Sequence, residues 1–170
     1  MTESELAVWL RLRLPEDAAE FLLLVARMVR QCDDLTDNEV PASERPHVMA
    51  AIAHTMLVAL PAQPFYAQWF ATMSPLLATV FATWAHTDGA KASPFETTRI
   101  WGFVWRDSVD FMLYQTALLA CGPVRAREII AEWLILEHGA CAESFHDWET
   151  STDGPLRNES PQGTGLQAAG

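Results

Sequence analysis

From Glu16 onward apolar residues recur at Leu22, Val25, Ala26 and Val29, the three-and-four spacing of a helix that buries one side. Pro15 followed by Glu16 and Asp17 marks its start, because proline suits the first turn and acids suit the positive end of the helix dipole. A shorter helix is predicted before it, from Glu3 to about Arg13. Pro41 to Pro46 reads as a connector, and Pro46 opens a helix that ends before Pro61. Pro64 opens a third run with Tyr66, Trp69, Phe70, Met73, Leu77, Val80, Phe81 and Trp84 on one stripe, kinked or divided at Pro75.

After the loop "HTDGAKAS", the stretch "SPFE" carries a start signal: Ser93 as N-cap, Pro94 in the first turn and Glu96 reaching back. The pattern then predicts one helix to Ala120 or Cys121, about 40 Å long, stopped by Gly122 and Pro123. It is apolar nearly all round, which predicts a central, buried helix near 94–121. Pro123 begins a last helix reaching about Trp148. No strand-like alternation persists, so the predicted fold is all-α: one bundle of about five to seven helices over 1–148, followed by a Gly-, Pro- and Ser-rich flexible tail over 149–170.

Against this pattern the acids stand out. Asp33 and Asp37 continue the line of Leu22, Ala26 and Val29, so they prolong an apolar face if the helix persists. Asp34 can pair with Arg30 one turn back. Asp107 and Asp110 lie a turn apart on the predicted central helix, and Glu137 interrupts the inward stripe Ile130, Trp133, Cys141, Ser144 and Trp148. Buried carboxylates must be protonated, paired or bound to a cation. Arg106, four residues before Asp110, offers structural pairing. Convergence of Asp33, Asp37, Asp107, Asp110 and Glu137 around a metal ion is the other outcome. Glu143 and His146 have the spacing of a di-iron helix, but no second helical copy exists. His47 and His54 read as surface histidines.

Composition narrows the function classes. Half of the 170 residues are hydrophobic, and seven tryptophans supply large core side chains, so a folded core is expected. A net charge of −11 excludes a nucleic-acid binder, which needs clustered Lys and Arg. Cys32, Cys121 and Cys141 show no zinc-like spacing and read as reduced, buried thiols. The acidic start "MTESELAVWL" is unlike a signal peptide, so a cytoplasmic location is expected. Residues 46–87 carry no formal charge. Their apolar runs are too short or too polar for a bilayer, and a hairpin buried in a soluble bundle is expected.

The stretch "DDLTD", Asp33-Asp34-Leu35-Thr36-Asp37, resembles the DDxxD motif of the all-α terpenoid and isoprenyl diphosphate synthase superfamily. That resemblance implies Mg²⁺ held by Asp33 and Asp37, a second acidic motif on a facing helix for which Asp107 is the candidate, and a diphosphate-bearing substrate gripped by basic residues, with Arg30 and Arg106 as candidates. Hard oxygen donors suit Mg²⁺. The chain is shorter than members of that superfamily, and "RDSVD" lacks the second adjacent Asp. The alternative is a non-catalytic interaction protein, a homodimer through the uncharged 46–87 hairpin.

Overall fold

The computed structural model describes residues 2–137 and 144–150, without the side chains of Asp88 and Glu137. Among them no strand occurs, and ten α-helical segments follow one another. They are α1 (Glu3–Arg11), α2 (Glu16–Thr36), α3 (Arg45–His54), α4 (Leu60–Ala62), α5 (Pro64–Gln68), α6 (Phe70–Trp84), α7 (Thr87–Lys91), α8 (Glu96–Arg106), α9 (Asp110–Glu137) and α10 (Phe145–Thr150). The all-α expectation holds. The segments outnumber the expected five to seven because α4, α5 and α7 are pieces of a turn or so.

Local chemistry explains several ends. Thr2 and Glu5 form a reciprocal capping box at the start of α1. Between α3 and α4 the chain makes a π turn, Thr55–Ala59. Pro61 follows it, lacks an N–H for the Leu57 carbonyl and would crowd that oxygen, so a wider turn there relieves both problems. Pro75 does not divide its helix; the break falls earlier, at Trp69, whose φ of −108° and ψ of 20° leave the helical region. Ser93 does not cap α8 as predicted. Its hydroxyl accepts the Phe95 N–H at 3.2 Å, and α8 begins at Glu96 without a side-chain cap.

The central buried helix is α2, a correction to the 94–121 expectation. Ala18, Ala19, Phe21, Leu23, Val25 and Met28 are each at most 1 % exposed, because α2 carries apolar residues on more than one side and has α1, α3, α5 and α9 around it. The predicted long helix is broken by a turn at Asp107–Val109, and its first half is inside out. On α8 the side chains of Arg99 and Arg106 are 22 % exposed, while Ile100, Trp101, Val104 and Trp105 face outward. Arg99 pairs with Glu149 of α10, and Arg106 lies over the Phe103 ring at 4.3 Å. Glu149 and Thr150 thus belong to α10 and not to the tail; the rest of the predicted tail, and the predicted helix through 138–143, lie outside the described residues.

The 46–87 hairpin is also less buried than expected. No residue of α3 or the π turn is buried, and α6 contributes Met73, Leu77 and Val80 to the core. No described helix is long and apolar enough to cross a membrane.

The stop signal at Gly122 proves sharper than a kink. Gly122 has φ 75° and ψ 171°, a region open to glycine alone. Leu113 and Trp133 are twenty residues apart, about 30 Å along a straight helix, yet they line one cavity. The chain therefore turns back at Gly122, and the second half of α9 returns to α1: Trp133 packs on Trp9, and Arg13 pairs with Glu132.

Candidate functional site

The acids at the end of α2 are held by a helix terminus and one arginine. Asn38 adopts φ 61°, the Glu39 N–H reaches back to the Asp34 carbonyl at 2.9 Å, and the Asn38 N–H to the Leu35 carbonyl at 3.4 Å. This Schellman-type ending turns the chain so that Glu39 comes back beside Arg30. The Arg30 guanidinium then lies 2.8 Å from Asp34, 3.3 Å from Glu39 and 3.7 Å from Asp33. The predicted pairing of Asp34 with Arg30 is present as an ion pair, although its angles miss hydrogen-bond geometry. One cation thereby offsets carboxylates that the negative end of the helix dipole disfavours.

Asp33 and Asp37 part company here. Asp33 is half-buried; burial first, then the Asp37 carboxylate, pushes its carboxyl above the usual carboxylate range, with Arg30 opposing. Asp37 is the residue after the last helical turn and is exposed, so it does not continue the apolar line as expected.

The second pair sits at the α8–α9 turn. Asp107 follows the end of α8 and is half-buried, whereas Asp110 is the first residue of α9 and only 8 % exposed. A carboxylate in the first turn of a helix is favoured by the dipole. Ser108, buried between them, donates its hydroxyl to the Val80 carbonyl at 3.2 Å and pins the turn to α6. Arg106 lies 3.3 Å from Asp107. Tyr114, one turn past Asp110, has its phenol pushed up by burial and by both acids.

These elements line an open cavity of about 260 Å³. Leu6 and Leu10 of α1, Leu22, Val25, Ala26 and Val29 of α2, Met112 and Leu113 of α9, and Trp133 line it together with Arg30, Asp33, Asp107, Val109 and Asp110. Along α2 the lining runs from Leu22 to Asp33, about 16 Å of helix, apolar first and charged last. A smaller cavity of about 160 Å³ adjoins it, sharing Val29, Asp33 and Val109 and adding Cys32, Val80, Phe81, Trp84 and Arg106. Burial pushes the thiols of Cys32 and Cys121 up; both are free and half-buried rather than fully buried.

Of the residues singled out in the sequence, the fold brings Asp33, Asp107, Asp110 and Arg30 to one cavity and Arg106 to its neighbour. Asp37 stays outside, and the side chain of Glu137 lies outside the described residues, as do Cys141 and Glu143. His47 and His54 are exposed, as expected. Sequence reasoning missed the wall from α1 and the return of Trp133 to it. The available signal was the Gly122-Pro123 pair, which allows a full reversal as well as a stop.

The carboxylates are of the right chemistry for Mg²⁺, but among the described residues no three His, Cys, Asp or Glu gather into a group that could hold a metal ion. Compared with known proteins, the chain matches no family, no curated protein and no solved structure.

Proposed function

We propose that this chain is a binding protein for a small molecule with an apolar body and a positively charged end. The observation that carries this reading is the shared cavity: Leu10, Leu22, Val25 and Met112 supply an apolar wall, while Asp33, Asp107 and Asp110 supply carboxylates on the same lining. Charge decides the sign of the ligand. Among the described residues the one cation on the lining is Arg30, which already faces Asp33, Asp34 and Glu39, while Arg106 beside the lining faces Asp107. An ammonium group suits such a wall, because it can take hydrogen bonds to separate carboxylates and needs no tight donor cluster. An anionic end would meet like charge. The size suffices for a compact ligand, since an apolar cavity of about 150 Å³ already accepts benzene.

Mg²⁺ with a diphosphate-bearing substrate, implied by the resemblance of Asp33–Asp37 to DDxxD, would bring positive charge in another form. It is the reading this one has to beat. Thermal melts separate the two. Octylammonium raises the melting temperature by mass action, octanoate does not, and Asp110→Asn removes the response. A rise seen only with Mg²⁺ plus geranyl diphosphate would overturn the ammonium reading in favour of the magnesium one. No rise with any of these ligands rejects both.

A specific observation favours a second role, self-association. Residues 46–87 carry no charge in a chain of net charge −11, and Met49, Met56, Leu57, Val58 and Phe70 are exposed on them. Two such chains repel everywhere except through a face of this kind.

A further inference from the structure

We infer that the exposed apolar stripe of the hairpin in one copy of this chain docks into the groove between the two halves of α9 in a second copy; this rests on the self-association role above and names the surface that the hairpin meets. The guest stripe lies on α3 and the π turn that continues it. Met49, Ala53 and Met56 stand at i, i+4 and i+7, with Leu57 beside them, and all four are exposed. The host groove, about 460 Å³ and open to solvent, runs between α6, through Leu76, and both halves of α9. Phe111, Tyr114 and Leu118 line one side at i, i+3 and i+7; Pro123, Ala126 and Ile130 line the other with the same spacing. The reversal at Gly122 sets these two stripes side by side, and Phe111 and Leu118 are still 50 % and 43 % exposed. Host and guest stripes each span about 10 Å of helix. An amphipathic helix laid in an apolar groove uses anchors of this spacing, and methionine adapts to such a surface.

Charge favours this pairing over hairpin against hairpin. No acid lines the groove, and its one charge is Arg127, which among the described residues makes no ion pair or hydrogen bond. Pro123, Val124, Ile130 and Ala131 stand one turn from it, and none is acidic. The first arm of the hairpin ends at Ala62, where Gln63 turns extended with ψ 125°. The last carbonyls of a helix are acceptors at its negative end, which suits a guanidinium without a partner. In a chain of net charge −11, an uncharged stripe and a groove with a single positive charge meet without repulsion. The contact is reciprocal, each stripe in the other copy's groove, so two copies close and no filament grows.

The test uses complementing variants of the full chain, followed by light scattering over a range of concentrations. Leu57→Glu spoils the stripe and keeps the groove; Leu118→Glu spoils the groove and keeps the stripe. Each alone is expected to be monomeric. An equimolar mixture is expected to recover a dimer, at higher concentration than wild type, because the intact stripe of one variant fits the intact groove of the other. Arg127→Glu is expected to weaken the wild-type dimer about tenfold or more, the size of a hydrogen bond to a charged group, and it decides if Leu118→Glu does not fold. A folded Leu118→Glu protein that dimerises like wild type overturns the inference and leaves the hairpin role standing. A mixture that stays monomeric, or an Arg127→Glu dimer of undiminished strength, does the same. A wild-type chain monomeric at all concentrations overturns the hairpin role itself, so the two failures are distinct.

Discussion

Trp9 and Trp133 meet with ring centroids 5.3 Å apart and planes inclined by 54°, which fastens the first helix to the returning half of α9. Tilted aromatic pairs add to what burial alone contributes. Trp9 is 7 % exposed, so Trp9→Ala leaves a large void and is expected to cost about 3–5 kcal/mol. Urea unfolding measures it; a loss under 1 kcal/mol would mean that α1 is dispensable to the core.

Gly122 makes the reversal possible. A Cβ there meets nothing within 4 Å, so Gly122→Ala tests backbone conformation alone. At φ 75° and ψ 171° the expected cost is about 1–3 kcal/mol. A neutral result in the same unfolding assay would show that the turn adopts another conformation.

Asp33 supplies a pH dependence. Its carboxyl is raised in the folded protein, chiefly by burial and then by Asp37. The folded state thus holds the proton more tightly, and stability falls as pH rises from the unfolded carboxylate range through the folded value. Asp33→Asn removes that loss. It should melt higher than wild type at neutral pH, with the gain vanishing in acid below the ordinary carboxylate range. The lost pairing with Arg30 at 3.7 Å is too exposed to reverse this. An increment constant with pH would contradict the account.

Ser108 is the positioning residue for the second pair of acids. Ser108→Ala deletes its bond to the Val80 carbonyl and should cost about 0.5–1.5 kcal/mol. It should also weaken the octylammonium response, since Asp107 and Asp110 flank it. Stability loss with an undiminished response would show that the turn needs no such anchor.

Leu57, 76 % exposed on the uncharged face, reports on self-association. Leu57→Glu should leave the melt of dilute protein within about 0.5 kcal/mol of wild type, as surface changes do, while converting a dimer to monomer by light scattering. A wild-type protein that is monomeric at all concentrations removes the second role.

The sequence made the helical class, the starts at Pro15, Pro46 and Pro64 and the Arg30–Asp34 pairing readable, because each depends on residues within a turn or two of one another. Of the four acids whose side chains are described, three reached the shared cavity, since Asp33 continues an apolar line and Asp110 opens a helix. Asp37 did not, because α2 ends one residue before it. The inversion of α8 was hidden for a different reason. Periodicity shows that Ile100, Trp101, Val104 and Trp105 share a side; it does not show which side the rest of the fold covers. The turn at Asp107–Val109 also breaks the helical phase on which the one-turn spacing of Asp107 and Asp110 depended.

The reversal at Gly122 has a kinetic corollary. Arg13 and Glu132 are 119 residues apart in the chain, as far as almost any two partners here can be. Their joining closes a long loop, a non-local contact of the kind that slows folding. The loop that this pair closes also brings Trp133 to the proposed ligand wall, so a nascent chain lacks that wall until its last third has been made.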